Sequence, residues 1–394
     1  MKTVLFAWEL GRGLGHLVAI RRMATRLRAH GMRTIAVVSD LASTGVLNGV
    51  CDDVVAAPAW PLASQDAAQR ARQSSATLND ILSSAGLADA SAAQRLLVAW
   101  DGIFERFRPH LVVADFAPLA ALAARGRIPL LQVGNGYTLP PDGMMRFPPL
   151  HRMSPPQWSE EETLSTVNAA AQSLGRTQLD RLPQLFSGDA RLVQTFAVLD
   201  PYDTQRVEPV DGPMIDPAPI ARRAGADTIF VYLSGGYGVP ANLVGALAPF
   251  AGSVRIHAPA LASAQMHDLT RVGARIDNEP CPLRDVLASA RLVVHSGGSG
   301  VASDALATGV PQLVLSCQIE QTLNGQALQR AGVGRLIETY DSSAHLSPDV
   351  IAALCDDAAL ATRASDAGQW HRQYLSDENP ALKCERACLG LLGN

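Results

Sequence analysis

No stretch of this 394-residue chain approaches the run of about 20 apolar residues that crosses a bilayer. The opening MKTVLFAWELGRG has one lysine and a short apolar run broken by Glu9, which suits a first strand better than a signal peptide. Charge is scarce and balanced, with 18% Asp, Glu, Lys and Arg and a net −4 at pH 7. That gives no basic surface for nucleic acid and none for an anionic membrane. The six cysteines (Cys51, Cys281, Cys317, Cys355, Cys384, Cys388) contain no Cys-x-x-Cys pair, which removes the usual zinc and redox signatures. Free thiols in a reducing, cytoplasmic setting are expected. The histidines show no ligand spacing, so no metal is expected. Aromatics are only 5%, yet hydrophobic residues make up 47%, ample for folded cores. At this length one core is not enough, and two domains are expected.

What is present is a repeated strand–glycine turn–helix pattern. TVLFAW (3–8) is a buried-type strand, Leu17 to His30 has helical spacing, and TIAVVSD (34–40) is a second strand. This β-α-β start predicts a parallel sheet. The region 61–108 has helical spacing, LVVAD (111–115) is a strand, APLAALAARG (117–126) a helix and IPLLQVGN (128–135) a strand. Residues 137–160 hold three Pro-Pro pairs, which excludes regular structure over most of their length. Their Tyr137, Met144 and Phe147 either pack over a core edge or line a ligand cleft. The Pro- and Asp-rich run 200–227 reads as a linker. The pattern then restarts with TIFVYL (228–233), the turn SGGYG, a helix in NLVGALAPF, and strands in VRIHAP, RLVVH and QLVLS. The predicted partition is 1–205, a linker at 206–225, a second domain at 226–375, and a C-terminal helix over 376–394 that packs back on the first domain.

Two glycine loops carry the chemistry. In the C-terminal half, RLVVH runs into Ser296-Gly297-Gly298-Ser299-Gly300 and a helix closed by Gly309-Val310-Pro311. A strand ending in such a loop presents unpaired backbone N–H groups and a positive helix end to an anion, and the glycines let a phosphate approach. Ser296 and Ser299 add hydroxyls, and His295 is placed to donate to a diphosphate. Downstream, Glu320-Gln321 sets a carboxylate beside an amide ahead of Asn324, a pair suited to sugar hydroxyls but equally to a helix start. In the N-terminal half, GRGLGH (11–16) is not the dinucleotide fingerprint G-x-G-x-x-G. Asp40, at the end of the second strand, stands where a ribose-binding acid of a nicotinamide or flavin enzyme would be. His16 opens the first helix, where an imidazole could act as a general base.

The ordered set His295, Gly297, Gly298, Gly300, Asp304, Gly309-Val310-Pro311, Glu320-Gln321 and Asn324 resembles the donor-binding signature of the GT-B nucleotide-sugar glycosyltransferases. The branch it resembles contains the UDP-glycosyltransferases and the bacterial macrolide and natural-product enzymes. The resemblance implies an α/β GT-B fold of two Rossmann-like doubly wound domains facing across a cleft. It also implies inverting, metal-independent sugar transfer without a cofactor, from a UDP- or TDP-sugar to an acceptor hydroxyl. The apolar and methionine content of 137–160 points to a small lipophilic acceptor, and a monomer or homodimer is expected. Donor contacts would come from Ser234, Gly235, Gly236, Pro282, Leu283, His295, Ser296, Gly297, Gly298, Ser299, Gly300, Asp304, Glu320 and Gln321. Gly15, Tyr137, Met144 and Phe147 would face the acceptor. His16 would be the catalytic base, oriented by Asp115 at the end of LVVAD. The chain departs from the family pattern in NEPCPLRDVL (278–287), where Pro280 replaces the Trp that stacks on the nucleobase, in Asp304 where Glu is usual, and in Glu320 where Asp is usual. An oxidoreductase using NAD or FAD, a sugar-nucleotide epimerase and a non-catalytic nucleotide-sugar binder are the alternatives.

Overall fold

A computed structural model describes residues 1–61, 75–150, 155–216, 218–233, 239–240, 242–339 and 345–393. The chain divides into two compact units. The first runs β1 (Thr3–Trp8), α1 (Leu14–Ala29), β2 (Arg33–Val38), β3 (Asp53–Ala56), α2 (Leu78–Leu82), α3 (Ala90–Phe107), β4 (Leu111–Asp115), α4 (Pro118–Ala124), β5 (Leu130–Gly134), α5 (Glu160–Ser173) and β6 (Ala190–Val193). Its six strands are all parallel in the order β3-β2-β1-β4-β5-β6. The second runs β7 (Thr228–Tyr232), α6 (Leu243–Leu247), β8 (Val254–His257), α7 (Ser263–Arg271), β9 (Arg275–Ile276), α8 (Leu283–Ala288), β10 (Ala290–His295), α9 (Ser299–Thr308), β11 (Gln312–Ser316), α10 (Ile319–Arg330), β12 (Gly334–Glu338), α11 (Pro348–Asp356) and α12 (Ala358–Asp377). Its sheet is also parallel, ordered β12-β11-β10-β7-β8-β9. Both are the doubly wound α/β units expected from the sequence.

The central strands are mostly apolar because helices cover both faces of a parallel sheet; every residue of β1, β4, β5 and β11 is buried. The helix α4 (PLAALAA) is buried on all sides, and its alanines leave room for the packing around it. The unit boundaries differ from the sequence partition. Thr195–Pro201 belongs to the second unit, where Phe196 and Leu199 pack with Leu306, Leu328 and Leu375. Tyr202–Asp211, expected to be mostly linker, belongs to the first. There Arg206, nearly fully buried, is an internal anchor.

The last helix, α13 (Pro380–Leu391), falls within the first unit from Ala381 onward. Its Glu385 pairs with Arg26 and, at 2.6 Å, with His30 of α1, and its buried Cys384 accepts from Gln194 at 3.1 Å. All six cysteines are unbridged. Among the described residues no helix is long and apolar enough to cross a membrane.

Candidate active site

In the first unit, β1 and β4 are adjacent strands with Trp8 opposite Asp115, so the loops leaving both strands begin side by side. The β1–α1 loop turns on Gly11 (φ +88°) and Gly13 (φ +98°), a region that L side chains rarely adopt. A Cβ on Gly11 would stand 2.8 Å from Nε2 of His16. The third residue of α1, His16, is thereby held beside the loop, with Nδ1 2.8 Å from Oδ2 of Asp115 and its ring stacked on Trp8 at 4.9 Å between centroids. The two side chains are 15% and 7% exposed. A buried carboxylate accepting Nδ1–H fixes the tautomer and makes Nε2 the basic nitrogen, as a general base requires. The turn after Asp115 places Phe116 at φ +47°, costly for a bulky side chain. Leu10 N–H donates to its carbonyl at 3.2 Å, tying the two loops together.

The residues expected to face the acceptor divide. Gly15 is exposed at the start of α1. Tyr137, Met144 and Phe147 are buried, and Phe147 lies in the main core, edge-on to Phe186 at 6.1 Å. Of the two readings left open for this segment, Phe147 follows the packing one. Proline-rich backbone still has carbonyls that need donors. Arg191 gives one to Pro140 O (2.7 Å), and Arg206 gives them to Gly136 O (3.2 Å) and Leu139 O (3.0 Å). Asp40 is occupied within its own turn, accepting from Ala42 N–H at 2.8 Å and Ser43 Oγ at 2.9 Å. Arg12 is exposed.

In the second unit β10 leads into the glycine loop and α9. His295 is 1% exposed. Its Nδ1 accepts from Gly297 N–H at 3.1 Å, which leaves the proton on Nε2 to donate to Oε1 of Gln312 at 2.9 Å. Burial pushes its pKa down to about 4, so the ring is neutral. Both ring nitrogens are thus bonded within the unit, and the residue shapes the loop. Gly297 sits at φ +91°, and a Cβ there would meet Gln321 O at 2.8 Å, so this position demands glycine. Gly298 and Gly300 open onto empty space. Gly298 caps α9 with no side-chain acceptor, so the helix's first-turn N–H groups have no side-chain cap. Ser296 is buried, while Ser299 and Asp304 are half-buried.

The downstream pair is split. Glu320 is half-buried in the first turn of α10. Gln321 is buried and its Oε1 accepts from Cys317 N–H at 2.9 Å, so its carbonyl serves the end of β11. Asn324 donates to Gly297 O at 2.9 Å and braces the loop from below. Pro282 is exposed and Leu283 half-buried at the start of α8. Ser234, Gly235 and Gly236 lie outside the described residues.

Three supporting residues escaped the sequence reading. Gln312, fully buried, receives the His295 proton and donates to Ala302 O at 3.3 Å; a glutamine opening an otherwise apolar strand was the available signal. Glu9, a charge inside an apolar run, was another. Trp8 stacks on His16 because the β1–α1 turn folds the start of the helix back onto the strand end, which sequence does not display.

Residues 241–382 match the family described as erythromycin biosynthesis protein CIII-like, C-terminal domain. The chain is 27% identical to the elloramycin glycosyltransferase ElmGT of Streptomyces olivaceus over 257 residues, 61% of this chain and 60% of that protein. It is 33% identical to the oleandomycin glycosyltransferase of Streptomyces antibioticus over 82 residues, 21% of this chain and 19% of that protein. The matches thus span less than two thirds of these relatives. The fold is shared with the calicheamicin glycosyltransferase CalG4 (TM-score 0.70, 16% identity, 100% of this chain and 98% of that one). It is shared also with the spinosyn rhamnosyltransferase SpnG, solved with spinosyn aglycone (0.64, 20%, 100% of both), and with the glycosyltransferase VinC, solved with DTDP (0.64, 15%, 98% and 100%). The chain therefore has the GT-B fold of these glycosyltransferases, and its residues 241–382 are similar to the EryCIII-like C-terminal domain.

Proposed function

We propose that this protein is an inverting glycosyltransferase that moves a sugar from a nucleoside diphosphate to a hydroxyl of a small, apolar acceptor. The observation that carries the reading is the His16–Asp115 pair, a half-buried imidazole in contact with a buried carboxylate at 2.8 Å, at the mouth of the β1–α1 loop. Nε2 of His16 takes the acceptor proton as the oxygen attacks the anomeric carbon; Asp115 supports the imidazolium that forms. Such base assistance typically contributes about 10²–10⁴ in rate. Attack from the face opposite the leaving group inverts the anomeric centre. The α9 N-terminus, with its uncapped first-turn N–H groups, and the loop held by His295, Gln312 and Asn324 receive the diphosphate without requiring a metal. Glu320 and Asp304, both half-buried, are the acids assigned to donor hydroxyls. The DTDP bound to VinC and the aglycone bound to SpnG support a nucleoside-diphosphate donor and an aglycone as acceptor.

The test pairs a thermal-shift screen of UDP, TDP and GDP with product analysis on their sugars, for the native protein and for His16→Ala. The expected result is nucleotide stabilisation of both proteins and transfer by the native one alone. Native-rate turnover by His16→Ala would remove His16 as the base.

A further inference from the structure

Glu9 follows the last residue of β1 and is buried. A carboxylate there has to be explained by what it holds. The helix α4 lacks a cap of its own: its N-cap is Ala117, with no side-chain acceptor. Glu9 reaches across from the neighbouring strand and caps it. Oε2 accepts from Leu119 N–H at 3.0 Å, Oε1 from Ala120 N–H at 3.2 Å, and the indole N–H of Trp100 from α3 also donates to Oε1. The residues flanking this carboxylate belong to the candidate site. Trp8, immediately before it, stacks on His16 and donates its indole N–H to Leu10 O at 2.6 Å; Leu10, immediately after it, bonds Phe116 beside Asp115.

We propose that Glu9 is a positioning residue, a clamp between the β1–α1 and β4–α4 loops that sets the contact between His16 and Asp115. The proposal rests on the transfer reading only for its kinetic consequence. The geometric claim concerns the pair itself. Burial raises the Glu9 pKa to about 7, opposed by the three N–H donors, and no charged side chain enters that balance. Protonation converts one acceptor oxygen into a donor facing N–H groups and loosens the clamp.

The experiment reads the His16 ring directly, by ¹⁵N NMR of the full-length protein across pH 5.5–9. In the native protein, the His16 signals should report the Nδ1–H tautomer at high pH and show an additional transition near pH 7. Glu9→Gln should lower the ratio of Nδ1–H to Nε2–H tautomer at least tenfold and abolish that transition. Its kcat should fall roughly tenfold with the KM for the sugar donor unchanged, whereas a purely structural role would lower Tm and leave the His16 signals of the folded fraction in place. Where Glu9→Gln fails to fold, Trp100→Phe serves. It removes one donor that lowers the Glu9 pKa, so the His16 transition should move to higher pH. His16 signals that are the same in the variants as in the native protein overturn the clamp. A native protein that shows the transition but transfers no sugar overturns the transfer reading and leaves the clamp standing.

Discussion

Acidification should act on the two units with opposite sign. His295 is buried neutral, its pKa lowered from 6.5 to about 4. The unfolded chain takes up this proton first, so stability present above pH 6.5 is lost as the pH falls toward 4. At 1.36 kcal/mol per pKa unit the loss is about 3 kcal/mol. Glu9 runs the other way. Its pKa is raised from 4.5 to about 7, so the folded form takes up the proton first. The stability it contributes is complete below pH 4.5 and is lost as pH rises through 7, again about 3 kcal/mol. A whole-chain melting curve adds these two trends and other carboxylates to them, so the assay has to resolve the units. Hydrogen exchange read by mass spectrometry on peptides of β10 and of β1, corrected for intrinsic rates, does so. His295→Asn keeps an acceptor oxygen near the Nδ1 position for Gly297 N–H but cannot titrate. It should be less stable than the native protein at pH 7, yet its β10 peptides should lose about 3 kcal/mol less protection between pH 6.5 and 4. Parallel curves for the native protein and His295→Asn in that window would refute the buried neutral imidazole, and with it the division of labour between the two histidines.

Asp115→Asn replaces an acceptor with a side chain whose amide can donate to His16 Nδ1, inverting the tautomer. Loss of the charge-assisted bond and of the base should lower kcat by about 10²–10⁴ while nucleotide affinity by calorimetry stays within twofold. Gly297→Ala must move either a residue at φ +91° or the Gln321 carbonyl 2.8 Å from the new Cβ. Nucleotide affinity should drop at least tenfold, measured by the same titration, with the β1 peptides of the first unit unchanged in hydrogen exchange.

The parts of this molecule that were legible in its sequence are those whose signals are local. LVVAD and QLVLS are strands at the bounds read from the sequence, because a buried parallel strand is a short apolar run between turn residues. The glycine loops were readable because a left-handed turn leaves its own residue type behind. The edge strands β3, β6, β9 and β12 were not predicted. They are two to five residues long, include exposed or half-buried positions, and are set by pairing with neighbours. The hydrophobic residues of 137–150 look the same in sequence whether they face a ligand, a core or solvent; the structure puts Leu139 and Phe147 in the core and leaves Met145 exposed.

The same limit explains the site. In each unit the first layer, His16 and Asp115 in the first and Gly297 and Asn324 in the second, consists of residues whose type is uncommon for their local setting. The second layer consists of residues whose meaning is a distance across the fold. Trp8 is an ordinary strand tryptophan until the β1–β4 register sets it opposite Asp115 and the β1–α1 turn brings His16 onto its ring. His295 is the instructive case. A histidine before a glycine loop invites a direct role on the ligand, but β11 places Gln312 within 2.9 Å of Nε2 while the loop folds Gly297 N–H onto Nδ1. With both nitrogens committed and the ring too deeply buried to charge near neutral pH, His295 acts by holding the loop's shape. A bound diphosphate is then met by backbone N–H groups that do not titrate, so donor affinity should be nearly independent of pH between 6 and 8 while turnover follows the ionisation of His16. Donor affinity that falls with a histidine-like midpoint in that range would return the charge to His295.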